Sequence, residues 1–137
     1  MNTGLIDQVL IFANNFSRIS DQVLRERLGF TYAKFLVLQQ IYQGNNISHM
    51  ISKNLGKTEA SVSRQIAILE KELLIKRKIN NSDDRQKIIY LTKKGTLVLK
   101  NCHKAINAYF DSKTSDINCK DKTVNELISI NKEIANL

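Results

Sequence analysis

Arg64 stands at the centre of the residues best suited to do chemistry. Ala60 and Ser61 lie one turn before it if the segment is helical, and Lys71 lies two turns after. At 100° per residue, Val62, Ile66, Leu69 and Leu73 fall on one side of such a helix. Ala60, Ser61, Arg64, Ala67 and Lys71 fall on the other. Small residues let a backbone come close to another surface. Arginine pairs bidentately with guanine, and serine hydroxyls serve bases or phosphates. Just ahead, Lys57 and the capping Thr58 offer a cation beside free backbone N–H groups, a phosphate-binding arrangement. The plainer alternative is a solvated helix face.

A second group is Asp83-x-Arg85. It lies in the polar run Asn80 to Gln86, between the β-branched runs Ile75–Ile79 and Lys87–Leu91. Those runs read as a β-hairpin with a long tip. An arginine protruding there suits an A·T-rich minor groove, whose negative potential attracts it. Asp83 is placed to orient Arg85 by a salt bridge. The alternative is an ordinary wet turn. Lys57, Lys76, Lys78 and Lys87 read as phosphate contacts, because a lysine acts as a point charge. A third group, Cys102, His103 and Cys119, would serve a thiol- or metal-based sensor. Cys102 sits on the apolar pattern of its helix, where a buried structural thiol is the better reading. Adjacent Cys102 and His103 diverge by 100°, which is poor geometry for joint ligation, so no metal and no cofactor is expected.

The charge distribution agrees with the first two groups. The chain has 137 residues and a net charge of +8. Residues 47–95 hold eleven basic and five acidic side chains, whereas 1–46 and 96–137 each carry +1. Charge so concentrated points to a polyanion, and nucleic acid leads the candidates. There is no glycine-rich phosphate loop, nucleophile elbow or paired-carboxylate motif, so an enzyme is not expected. No apolar run approaches the ~18 residues of a membrane span. Two cysteines and no secretory pattern at the N-terminus fit a cytoplasmic protein.

These residues need elements to position them. Leu5, Val9, Phe12, Phe16, Ile19 and Val23 recur at 4, 3, 4, 3, 4, which predicts a long amphipathic helix over about 4–28, stopped by Gly29. Thr31 caps a second helix, Tyr32 to Gln43, with Ala33, Leu36, Val37 and Ile41 inward. Ser48 caps a short helix through Leu55, closed by Gly56, and Thr58 caps the helix 59–73. After the hairpin, helices are expected from Thr92 to about Ser112 and from about Lys122 to Ala135. The fold class is mainly α with a small β-hairpin, in the order of a winged helix-turn-helix. The chain reads as a single domain, 1–137. Its DNA-binding core spans about 31–92, flanked by helices 4–28 and 93–137.

Ser61-Val62-Ser63-Arg64, Leu69-Glu70, Leu74-Ile75, Arg77, Asp83-x-Arg85 and Leu91-Thr92-x-x-Gly95 follow one another in order. With these motifs the chain resembles the multiple-antibiotic-resistance regulator (MarR) family over nearly its whole length. The resemblance implies a homodimeric winged-helix transcription regulator, usually a repressor released by a small molecule, by oxidation or by metal loss. It implies that helix 59–73 enters the major groove and Arg85 the minor groove, and it adds Ser63 and Arg77 to the DNA-binding set. Leu73 departs from the pattern, standing where many relatives have a glycine turn, so that junction is expected to be built differently.

The terminal helices carry more apolar stripe than a core of about 60 residues can cover. An isologous dimer would bury Leu5, Val9, Phe12, Phe16, Leu127, Ile130 and Ile134. Packing of all three helices onto the core is the alternative. The partners expected are an inverted-repeat operator in double-stranded DNA, a second copy of the chain, and a small aromatic or anionic effector. The effector would draw on the first helix, on Tyr32–Tyr42 and on the helix after Thr92.

Overall fold

Three helices end at a left-handed residue, and only two of them use glycine for it. A computed structural model describes residues 4–80, 83–117 and 120–135, with backbone only at 80 and 83–86. In it α1 runs Leu5–Leu28, α2 Tyr32–Tyr42, α3 Ser48–Leu55 and α4 Glu59–Lys71. After α1, Gly29 at φ 60 lets the Phe30 N–H reach back to the Leu24 carbonyl. After α3, Gly56 at φ 62 lets Lys57 reach Ser52. After α4, Leu73 takes φ 63, and Leu74 N–H reaches the Leu69 carbonyl at 2.9 Å. Orphan carbonyls are satisfied this way at each end, but an L-residue with a Cβ is strained in that conformation.

The twist at Leu73 corrects one expectation. Leu73 is not on the buried side of α4; it is 68% exposed, and Leu74 takes its place in the core. The unusual junction is held from α5 (Lys93–Thr114). Thr92 Oγ1 donates to the Leu73 carbonyl at 2.7 Å and accepts from the Gly95 N–H. Gly95 must be glycine there, because a Cβ would lie 1.9 Å from the Leu74 carbonyl oxygen. The Leu-Thr-x-x-Gly motif is therefore a fastening between the hairpin and α5.

Two caps fall where the sequence places them. Thr31 Oγ1 accepts from the Lys34 N–H, and Thr58 Oγ1 from the Ser61 N–H. Ser48 does not cap α3; Ile47 is the capping residue, and the Ser48 hydroxyl lies 3.5 Å from that of Ser63. In α2 the inward residues are Phe35, Val37, Leu38 and Ile41, whereas Ala33 is exposed. Leu36, also expected inward, is half-buried, because the helix turns the side of Phe35, Leu38 and Ile41 to the core.

The strands β1 (Ile75–Asn80) and β2 (Asp83–Leu91) pair antiparallel, from Ile75↔Leu91 out to Ile79↔Lys87 and then Asn80↔Asp83. The hairpin thus pairs beyond the expected ends of its strands. Asp84, Arg85 and Gln86 form an irregularity in β2 between two paired positions. Ile89 N–H donates to the Asn46 carbonyl, tying β2 to the turn before α3. The core joins Val23 and Leu24 of α1, the inward face of α2, Ile51, Val62, Ile66, Leu69, Ile75, Ile89, and Leu99, Cys102 and Ile106 of α5.

The chain forms two compact units, Met1–Asn107 and Ala108–Leu137. The second holds the end of α5 and α6 (Lys120–Ala135), in which no residue is buried. Among the described residues no helix is long and apolar enough to cross a membrane.

Candidate nucleic-acid interface

The outer face of α4 is assembled by burial of the inner one. Val62, Ile66 and Leu69 are buried, which turns Ala60, Ser61, Ser63, Arg64, Ala67 and Lys71 to the surface. Thr58 and Lys57 are exposed at the start of the helix, where the first N–H groups point outward. The sequence groups these residues correctly because a 3.6-residue period and an apolar stripe leave little freedom.

The hairpin divides its cations between two faces, which their number alone could not show. Side chains alternate along a strand. Arg77 lies on the α4 side: its Nε and Nη2 donate to both carboxylate oxygens of Glu70, at 2.7 and 2.8 Å. The guanidinium holds Glu70 below the usual carboxylate range, and Glu70 in turn raises Arg77. Arg77, expected at DNA, thus commits two of its five donors to Glu70 and ties the hairpin to α4 while still lining the open surface. Lys87 shares that side and lines an open cleft with Ser48, Ser63 and Arg77. Lys76 and Lys78 project from the other side, where Lys78 lies over the Tyr90 ring at 5.6 Å. The side chains of Asp83 and Arg85 lie outside the described residues, and their expected salt bridge with them.

A second cross-link in this region is invisible to sequence patterning. His49, in the first turn of α3, donates through Nδ1 to Glu59 Oε1 in the first turn of α4. Nothing in the local sequence marks it. An acidic residue after a threonine cap is ordinary, and only the helix-turn-helix fold brings the two together.

The residues expected to meet a second copy are exposed in both units. Leu5, Val9 and Phe12 are 65%, 48% and 60% exposed, and Leu127, Ile130 and Ile134 of α6 are open as well. Phe16 is half-buried, its ring tilted against Phe12 and edge-on to Tyr32. The apolar stripe of α1 enters the core only at its C-terminal end. There Asp21 Oδ1 accepts from the Tyr32 N–H at 2.9 Å, which, with Arg25, lowers its pKa.

Of the sensor group, two residues are described. Cys102 is fully buried, and burial pushes its thiol up to about 11, so it stays protonated at neutral pH. His103 Nε2 donates to Gln39 Oε1 at 2.6 Å, with its ring edge-on to Phe35. Cys119 lies outside the described residues. Among the described residues, no three His, Cys, Asp or Glu side chains group as metal ligands. A cleft of about 420 Å³ opens where α1, α2 and α5 meet, lined by Leu28, Phe30, Lys34, Leu74, Lys94 and Val98 among others.

No curated protein sequence matches the chain. Solved structures do. Wild-type E. coli MarR in its apo form is 20% identical over 98% of each chain, with a TM-score of 0.80. A DNA complex of S. aureus MepR is 21% identical over 99% of this chain and 100% of that one, with a TM-score of 0.72. M. tuberculosis MosR in complex with DNA is 16% identical over 98% of both, with a TM-score of 0.68. These likenesses bear out the expected MarR-type winged-helix fold. The family described as transcriptional regulator SarA/Rot matches residues 19–102, which include the helix-turn-helix, the hairpin and the fastening at Thr92 and Gly95. With that match over more than half its length, the chain belongs to the SarA/Rot family of transcriptional regulators, built on a MarR-type winged helix.

Proposed function

We propose that the protein is a cytoplasmic, homodimeric repressor that binds an inverted-repeat operator in double-stranded DNA and is released by a small ligand. The observation that carries this reading is the outer face of α4, where small residues surround Arg64 beside a basic hairpin. Helix α4 enters the major groove. Arg64 reads a base edge, Ser61 and Ser63 serve bases or phosphates, and Ala60 permits close approach. Thr58 and Lys57 meet a phosphate at the helix start. Lys87, on the α4 side of the hairpin, contacts the backbone, and Arg85, oriented by Asp83, reaches into the adjacent minor groove. Arg77 supports this surface by holding the hairpin to α4. The DNA complexes of MepR and MosR, which share the fold, favour the same use of it here.

Dimerisation follows from exposed apolar surface. The N-terminal half of α1 and the length of α6 carry large apolar side chains open to water, and a second copy would cover them. Two-fold symmetry then sets two α4 helices about one turn of DNA apart, ~10 base pairs between half-site centres. We assign the effector, a small aromatic or anionic molecule, to the cleft between α1, α2 and α5, with Phe30 and Leu28 for its apolar part and Lys34 and Lys94, which there also hold Glu72, for its charge.

The test is selection of bound fragments from random duplex DNA at two salt concentrations. Enrichment of an inverted repeat, with affinity falling steeply as salt rises, is the expected result. Recovery of no common sequence, or binding indifferent to salt, would overturn the reading.

A further inference from the structure

Glu59 is out of place on a surface that meets phosphates. It is the first residue of α4, and no other acidic side chain stands on the outer face of that helix's first two turns. An acidic residue in a first turn is ordinarily explained by the helix dipole. That account leaves the side chain free to move, and here it is not free. Thr58 already caps the helix through the Ser61 N–H, while Glu59 Oε1 accepts from His49 Nδ1 across the helix-turn-helix. The pair is exposed, 72% for His49 and 63% for Glu59, so it adds little to stability. What the bond does is restrain a carboxylate: Oε1 is engaged, and the side chain is held, still exposed, at the first turn of α4.

We propose that Glu59 reads cytosine at one position of each half-site, with His49 as the residue that positions it. The inference rests on the DNA-binding reading above. N-terminal residues of a recognition helix are the ones that reach base edges. A carboxylate can only accept hydrogen bonds. In the major groove, guanine presents two acceptors and adenine sets its N7 acceptor beside its amino group, whereas cytosine presents its N4 amino donor. Against cytosine the charge is satisfied. Against the other bases it is left desolvated and repelled, so Glu59 excludes wrong sequences more than it tightens binding to the right one. His49 limits the rotamers from which the carboxylate could swing to solvent and escape that penalty.

The experiment is site selection from a randomised duplex library with the full chain and with Glu59→Gln, Glu59→Ala and His49→Ala, each checked for an unchanged thermal midpoint. The wild type is expected to select cytosine at a symmetric position, with replacement of that base costing roughly ten- to hundredfold in affinity. Glu59→Ala removes the preference there and nowhere else, without weakening binding to random DNA. Glu59→Gln keeps the shape and moves the preference to adenine, which a carboxamide pairs bidentately. His49→Ala keeps cytosine but reduces discrimination several-fold. An unchanged selected site in Glu59→Ala would overturn the proposal, as would a loss of affinity shared by all sequences, which marks a helix-stabilising role. A wild type that selects no sequence at all would instead overturn the DNA-binding reading on which it rests.

Discussion

Helices α1 and α4 are both amphipathic, and both leave one face uncovered, yet the two faces are opposite in kind. The outer side of α4 offers Ala60, Ser61, Arg64 and Lys71, which water hydrates well. The N-terminal half of α1 offers Leu5, Ile6, Val9, Leu10 and Phe12, which water does not. The basic face is stable alone and, in the function proposed above, meets a polyanion reversibly. The apolar face carries a standing cost of roughly 25 cal/mol for each Å² left in water, so it calls for a permanent partner. On the proposed function, one helix serves reversible contact and the other assembly.

The largest expected effect comes from reversing the character of the α1 face. Val9→Asp with Phe12→Asp should give a folded monomer by light scattering and weaken operator binding by roughly 10²-fold or more, because two linked half-site contacts become one. A dimer of wild-type affinity in that variant would erase the distinction between the helices. On α4, Arg64→Ala should cost ~1–3 kcal/mol on the operator and relax the preference at one base position per half-site, read by fluorescence anisotropy on operator and single-base variants. Equal losses on operator and random DNA would show that Arg64 is a mere phosphate contact.

The two faces of the hairpin sharpen the comparison further. Lys87→Ala should flatten the salt dependence of binding by roughly one unit, because Lys87 shares the α4 side. Lys78→Ala, on the opposite side over Tyr90, should change it less. Equal slopes for the two variants would place both faces at the backbone.

The anchored end of α1 should behave unlike its open end. Asp21→Ala removes the acceptor of the Tyr32 N–H and should cost about 1 kcal/mol at neutral pH by chemical denaturation. The folded-state pKa of Asp21 is lowered, so its contribution is present above the unfolded carboxylate range and is lost as pH falls through the folded value. The difference between variant and wild type should therefore shrink in acid. The smallest effect has the opposite sign. Leu73→Gly relieves a left-handed leucine and should raise stability by about 0.5–1 kcal/mol, the strain removed exceeding the chain entropy that glycine adds.

Where a segment's fate follows from its own neighbours, it is legible in the residues. The period of Val62, Ile66 and Leu69 determined which side of α4 is buried, and hence that Arg64 faces out. Thr31 and Thr58 announced two helix starts, and Gly29 and Gly56 two ends. The clustering of cations over 47–95 pointed to a polyanion before any geometry was known. Ser48 misled because a hydroxyl at a helix start caps only if its backbone stops short of the helix, and Ile47 does that instead. Leu73 misled because a helical period cannot foresee that the chain will turn left-handed one residue early and give the core position to Leu74. The partners of charges were decided only by tertiary structure. Arg77 with Glu70, and His49 with Glu59, are seven and ten residues apart in sequence and belong to different elements. Pairing of this kind depends on distances of a few ångströms between side chains that packing alone brings together. Composition could count the cations; only the fold could say which were already spent.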